Sequence, residues 1–322
     1  MDERALGPLT TSAVGLGCMG FSQGYGPVDH DESVSVVQRA LDAGITLLDT
    51  AMSYGGGANE ELVGRAIAGR RDDVVVATKF GIVRTEDGVR LDGRPEHVRG
   101  YCEGSLRRLG VDVIDLYYLH RVDPDVPIAE TVGAMTELVH AGTVRALGLS
   151  EVDAGQLEQA AAVHPIAAVQ FEWSLAWREP EDDVVPAARR LGIGLVPYSP
   201  LGRGLLGGHL SAGGFAEGDF RRGDPRFDGD NLERNRSVVR RLADVAAEIG
   251  LTPAQLALAW LLSQGPDVVP VPGTRRADRV AELAAAVALS PADLARVDAV
   301  APRSAFVGDR RSFAARGLAR SG

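Results

Sequence analysis

The chain is almost without lysine. Its 322 residues include 34 basic ones, and all but Lys79 are arginine. A bias this complete leaves lysine only where guanidinium does not serve, since lysine offers a compact charge and a tunable pKa. Cysteine is nearly as scarce. Cys18 and Cys102 are too few for a disulfide framework, and Cys102 falls on the apolar face of a predicted helix. Both read as buried free thiols, with a cytoplasmic location expected. No apolar run approaches the roughly 20 residues of a membrane span, and no apolar leader follows Met1. The net charge of −10 argues against nucleic acid or an anionic membrane surface as partner. Composition is silent on oligomeric state. The dinucleotide fingerprint Gly-x-Gly-x-x-Gly between a strand and a helix is also missing. Gly15-Leu16-Gly17-Cys18-Met19-Gly20 only approximates it and runs into a loop, which speaks against a doubly wound fold. With 45% apolar residues and no low-complexity linker or internal repeat, residues 1–322 are expected to form one domain around one large core.

What is present is alternation. Short apolar strands are expected at Val14–Leu16, Thr46–Leu48, Val74–Thr78, Val113–Leu119, Val144–Leu149, Ala167–Val169, Gly194–Pro197 and Val268–Val271. Helical periodicity follows each of them: Val34, Val37, Ala40 and Leu41 recur on one face, and Val98, Cys102, Leu106 and Leu109 on another. Asn59 is expected to cap one helix and Pro95 to open the next. Ser199 to Asn235 lacks periodicity and reads as a long functional loop. Ala301 to Gly322 is an arginine-rich extension that covers the pocket or straps the surface. Eight strands with intervening helices predict a (β/α)8 TIM barrel.

In such a barrel the C-terminal strand ends share one face. Those ends are Asp49, Lys79, His120, Ser150, Gln170 and Tyr198, followed by the Gly273-Thr274-Arg275 turn. Neighbouring strands lie about 4.8 Å apart, so Asp49, Lys79 and His120 converge, with Tyr54 above them in a glycine-closed loop. Charged Lys79, held by Asp49, is expected to lower the tyrosine pKa from near 10 and make Tyr54 a proton donor. His120 can orient a carbonyl oxygen. One histidine near one carboxylate is a poor metal site. A proton donor to a carbonyl calls for a hydride donor, which belongs to a cofactor. Ser150 and Gln170 can bond a carboxamide, Tyr198 can stack on a nicotinamide, and Arg275 and Arg279 can hold a phosphate. A Schiff base on Lys79, as in a barrel aldolase, is the competing chemistry.

Seven stretches carry a family resemblance. They are Asp49-Thr50-Ala51-Met52-Ser53-Tyr54-Gly55, Ala77-Thr78-Lys79, Ser105-Leu106-Arg107-Arg108-Leu109, Asp115-Leu116-Tyr117-Tyr118-Leu119-His120, Gly148-Leu149-Ser150, Tyr198-Ser199-Pro200-Leu201-Gly202-Arg203-Gly204 and Pro272-Gly273-Thr274-Arg275. Over nearly its whole length the chain resembles an aldo-keto reductase. The resemblance implies a barrel enzyme that reduces a small carbonyl substrate with NADPH, with NADH less favoured. It makes Asp49, Tyr54, Lys79 and His120 the catalytic tetrad. It assigns the nicotinamide to Ser150, Gln170 and Tyr198, and the pyrophosphate to Ser199, Leu201, Gly202, Arg203 and Gly204. The adenosine 2′-phosphate end falls to Gly273, Thr274, Arg275, Arg279 and Glu282. Leu283 stands where the family often has asparagine, and Trp173 where many relatives have tyrosine. Substrate contacts are expected from Met19, Phe21, Tyr25, Met52, Trp173 and the loop after Lys79. The resemblance also admits a non-catalytic NADP-binding regulatory subunit.

Overall fold

Short runs of valine, leucine and alanine meet side by side to form the barrel. The computed structural model describes residues 1–85, 88–208 and 215–310. It begins with an antiparallel hairpin, β1 (Glu3–Leu6) and β2 (Leu9–Ser12). Strands β3 (Leu16–Gly17), β4 (Leu47–Asp49) and β5 (Val75–Phe80) follow, then a second hairpin of β6 (Ile82–Thr85) and β7 (Gly88–Leu91). The remaining strands are β8 (Ile114–Leu119), β9 (Val144–Ser150), β10 (Ile166–Glu172) and β11 (Gly194–Tyr198). The barrel wall is parallel throughout, in the order β11-β10-β9-β8-β5-β4-β3.

The expected eighth strand, Val268–Val271, is present as bridges rather than a regular ladder. On one edge the Val269 and Val271 amides donate to Leu195 and Pro197. On the other, Pro270 and Pro272 accept from Gly15 and Gly17, each at 2.9 Å. Proline has no N–H to return, so this seam closes the barrel with bonds in one direction only. It also runs close: a Cβ on Gly17 would stand 2.9 Å from the Val271 carbonyl oxygen, and one on Gly273 would stand 3.0 Å from that of Gly17. The first glycine-rich stretch therefore serves backbone packing.

Ten helices surround the barrel among the described residues. They are α1 (His30–Asp42), α2 (Ala58–Ala66), α3 (Pro95–Leu109), α4 (Ile128–His140), α5 (Ala154–Ala161), α6 (Val184–Arg190), α7 (Gly229–Glu248), α8 (Pro253–Leu262), α9 (Val280–Ala284) and α10 (Pro291–Val300). Local chemistry sets their ends. Asp29 accepts from the Asp31 and Glu32 amides at the start of α1, and Asp153–Gln156 and Thr252–Gln255 form capping boxes. Pro95 opens α3 and Gly110, at φ 65°, closes it. Asn59 is not a cap, contrary to expectation: α2 starts from Gly57, and the Asn59 amide is used elsewhere. Part of the expected loop after β11 lies outside the described residues, and the described part is more regular than its sequence suggests. It contains short 3-10 turns at Gly202–Gly207 and Pro225–Phe227, and α7 begins at Gly229, inside the expected loop.

Two apolar layers result. Val36, Leu62, Val98, Val132 and Leu157 press the helices onto the outside of the wall, each burial contributing roughly 1.5–3 kcal/mol. Inside, Leu47, Ala77, Leu116, Tyr118, Ala146, Ala168 and Val196 fill the barrel, and Leu6 and Leu9 of the first hairpin plug its floor. Cys18 and Cys102 are free and buried. No single helix among the described residues is long and apolar enough to cross a membrane.

Candidate active site

The site continues the barrel interior upward. Side chains alternate along a strand, so the column that buries Leu47 ends in Asp49, and the column that buries Ala77 ends in Lys79. Likewise Leu116 and Tyr118 lead to His120, Ala146 to Ser150, Ala168 to Gln170 and Val196 to Tyr198. Gly148 interrupts its column because a Cβ there would lie 2.4 Å from the Tyr118 ring. A packed apolar barrel thus carries a polar rim at one end.

Lys79 is fully buried. Its Nζ donates to Asp49 Oδ1 at 2.5 Å, to the Thr50 carbonyl at 2.9 Å and to the Tyr54 hydroxyl at 3.4 Å. The second Asp49 oxygen accepts from Gln170 Nε2 at 2.7 Å. Tyr54 reaches this point from a tight turn in which Gly55, Gly56 and Gly57 all have positive φ, a conformation glycine adopts without steric cost. Asn59 braces the turn from behind: its Nδ2 donates to the Cys18 carbonyl and to Ser22 Oγ, and its Oδ1 accepts from Thr50 Oγ1. The edge of the His120 ring meets Tyr54, with centroids 5.7 Å apart at 82°, and Ser53 Oγ lies 3.5 Å from His120 Nδ1.

Burial dominates the ionisation states. It pulls the Lys79 ammonium down, but Asp49 and then Tyr54 more than offset it, so Lys79 titrates above its ordinary value and stays charged. Burial pushes the Tyr54 phenol up, and Lys79 only partly reverses this. That corrects the expectation of a lowered tyrosine pKa: desolvation outweighs the ammonium, and the phenol holds its proton at neutral pH. His120 is driven well below its ordinary range by burial, then by Arg121 and Lys79, and is a neutral imidazole. The site therefore contains a protonated phenol, a cation behind it and a neutral ring N–H donor beside it.

These groups open on a cleft of about 470 Å³. Asp49, Tyr54 and His120 line it, while Lys79 lies behind the wall. Ser150, Gln170, Tyr198, Ser199, Leu201, Arg203, Gly204, Gly273, Thr274 and Arg275 line it as well. Gly202 is buried beneath this surface. Arg279 and Glu282 pair with each other at 3.2 Å, outside the cleft wall. Ser199 and Arg203, at φ 49° and 57°, are non-glycine residues in the left-handed region. Such conformations cost about 1–3 kcal/mol each and cluster at ligand clamps.

Of the expected substrate contacts, Met19 and Tyr25 line the cleft. Phe21, Met52 and Trp173 do not. Phe21 and Trp173 are buried in the core, where Trp173 packs against Phe171 and Trp260 and donates to Glu181. Met52 packs against the same core. The cleft has further lining residues, some of them in the segment after Lys79. Gln23, Ser53, Ile82, Arg84, Val89, Arg121, Phe220 and Arg221 line the cleft. Arg121 donates to the His120 carbonyl at 2.6 Å and to Ser150 Oγ at 3.2 Å. Its position next to His120 was the available signal. Ile82, Arg84 and Val89 come from the segment after Lys79 that was expected to contribute, here folded as the β6–β7 hairpin.

The polar rim built on Tyr54, Lys79, Asp49 and His120 thus crowns a parallel barrel. Comparison with known proteins gives the family. The profile of the Aldo/keto reductase family matches residues 13–302. A probable aldo-keto reductase from Glycine max is 45% identical over 304 residues, 93% of this chain and 88% of that protein. A glycerol dehydrogenase from Gluconobacter oxydans superposes with a TM-score of 0.87 at 32% identity, covering 94% of this chain and 97% of that one. An aldo/keto reductase from Klebsiella pneumoniae, solved with NADP and acetate, superposes at 0.70 with 30% identity, covering 94% and 95%. The chain belongs to the aldo/keto reductase family, and it is an oxidoreductase.

Proposed function

We propose that this protein reduces an aldehyde or ketone to the alcohol with NADPH, Tyr54 delivering the proton. The observation that carries the reading is the contact of Lys79 Nζ with both Asp49 (2.5 Å) and Tyr54 (3.4 Å), beside a neutral His120 that lines the cleft. The residues lining that cleft suit a dinucleotide: amide and hydroxyl groups at Gln170 and Ser150, an aromatic side chain at Tyr198, and the cations Arg203 and Arg275 with Thr274. Arg275 and Thr274 are assigned the 2′-phosphate, which favours NADPH over NADH.

When bound, the nicotinamide supplies the hydride. The protein's own residues do the rest. The His120 N–H orients the carbonyl oxygen beside Tyr54. The Tyr54 hydroxyl gives its proton to that oxygen, and Lys79 stabilises the phenolate left behind, its own charge secured by Asp49. A Lys79 Schiff base is disfavoured because the ammonium is buried behind the wall and held protonated by Asp49.

Tyr54→Phe tests the reading. It should bind NADPH as the native protein does and turn over at least ~100-fold more slowly on any carbonyl the native protein reduces, the usual cost of losing a general acid. Near-native turnover would remove Tyr54 from its role. Tight NADPH binding by the native protein with no oxidation across aldehydes, ketones and keto-sugars would favour a regulatory subunit.

A further inference from the structure

Behind the cleft lies a buried polar cluster that the proton-delivery chemistry does not use. Glu151 follows Ser150 at the end of β9 and adopts a left-handed backbone, φ 56°. Its Oε1 accepts from the Tyr198 hydroxyl at 3.0 Å and its Oε2 from Arg310 Nη2 at 2.7 Å. Arg310 Nη1 donates to the same Tyr198 hydroxyl at 3.2 Å. The three side chains form a closed ring. Two of them stand at the ends of β9 and β11, on either side of β10, and the third comes from the far end of the described chain. The Arg310 guanidinium also lies over the Trp177 ring, 5.2 Å from its centroid, and 3.8 Å from buried Glu172. Its side chain retains only 17% exposure.

Burying an arginine this far is costly unless its charge is met. Here Glu151 and Glu172 meet it, and the geometry leaves the Tyr198 hydroxyl with one donor and one acceptor contact. A tyrosine ring held by both lone-pair and proton contacts at its hydroxyl has a fixed plane. Tyr198 lines the cleft.

We propose that Arg310 is a positioning residue for the cofactor: acting through Tyr198 and Glu151, it fixes the aromatic wall against which the nicotinamide lies. This rests on the assignment of Tyr198 to the nicotinamide. Arg310 thereby acts on the cofactor from behind; residues 301–310 do not line the cleft, and the rest of the expected extension lies outside the described residues.

The experiment is NADPH titration by fluorescence, with melting temperature as a control for folding. Arg310→Gln should raise the NADPH Kd at least ~5-fold, as expected for loss of charge-assisted hydrogen bonds, and Arg310→Lys should recover part of it. Tyr198→Phe keeps the ring and removes the hydroxyl without stranding a charge. It should raise the Kd in the same direction, and adding Arg310→Gln to it should cost less than ~2-fold more, because both changes break one ring of contacts. A native Kd in Tyr198→Phe overturns the proposal even where Arg310→Gln fails to fold. So does full additivity of the two changes, or a native Kd in folded Arg310→Gln. Tyr198→Ala separates the underlying assignment: a native Kd there would remove Tyr198 from the nicotinamide site itself, whereas weakened binding there beside a native Kd in Arg310→Gln would sink only the role of Arg310.

Discussion

Asp49 divides its two oxygens between Lys79 at 2.5 Å and Gln170 at 2.7 Å. One carboxylate therefore secures the charge behind Tyr54 and, at the same time, orients an amide that faces the cleft. The Lys79–Tyr54 contact and the cleft wall share one anchor.

Asp49→Asn should disturb both. The buried ammonium loses its counter-charge, and truncating one partner of such a pair costs roughly 3–5 kcal/mol. Urea unfolding should report a lower midpoint with an unchanged slope, and turnover should fall together with stability. Native stability in this variant would mean that the Thr50 carbonyl and Tyr54 suffice to hold Lys79.

Acid should destabilise the protein in two steps. His120 has a folded pKa well below its ordinary 6.5, so the unfolded chain binds a proton that the folded one refuses. Stability then falls as pH drops below about 6.5, by up to about 1.4 kcal/mol per pH unit for this one group. Glu151 behaves differently. Arg121 and Arg310 overcome the burial that would raise its pKa and hold it at about 2, against 4.5 when free. Its contribution, about 3 kcal/mol by linkage, is complete above pH 4.5 and is lost as pH falls towards 2. Denaturant titrations from pH 8 to 3 should show the first slope flattened in His120→Asn and the second in Glu151→Gln.

Arg275→Ala tests the choice of cofactor. Loss of a charge-assisted phosphate contact should weaken NADPH binding by ~10-fold or more while leaving NADH within ~2-fold. Equal weakening of both would place the 2′-phosphate elsewhere.

The barrel and the core of its site could be read from residue order because short strands with inward columns must end somewhere, and here they end in Asp49, Lys79, His120, Gln170 and Tyr198. What could not be read has identifiable causes. The hairpin β6–β7 presents mostly exposed residues, so no alternation marks it. Arg310 is one arginine among 33, and nothing local distinguishes a guanidinium that folds back into the barrel from one in water. Phe21 and Trp173 lie near cleft residues in sequence, yet adjacency does not say which way a ring turns. The Tyr54 pKa went the other way from the residue-type argument because Lys79 contributes a charge that sequence reveals, while burial contributes a desolvation that only packing determines.

The proline seam has a consequence for thermodynamics. The segment from Val271 to Arg275 is both a stave of the barrel and a wall of the cleft. It is held to the first strand by bonds that only the glycine side can donate. A ligand seated along that wall acts as a hoop, bracing the joint between the first and last staves of the barrel. Its binding free energy therefore adds directly to resistance against unfolding, and the melting temperature should climb with ligand concentration.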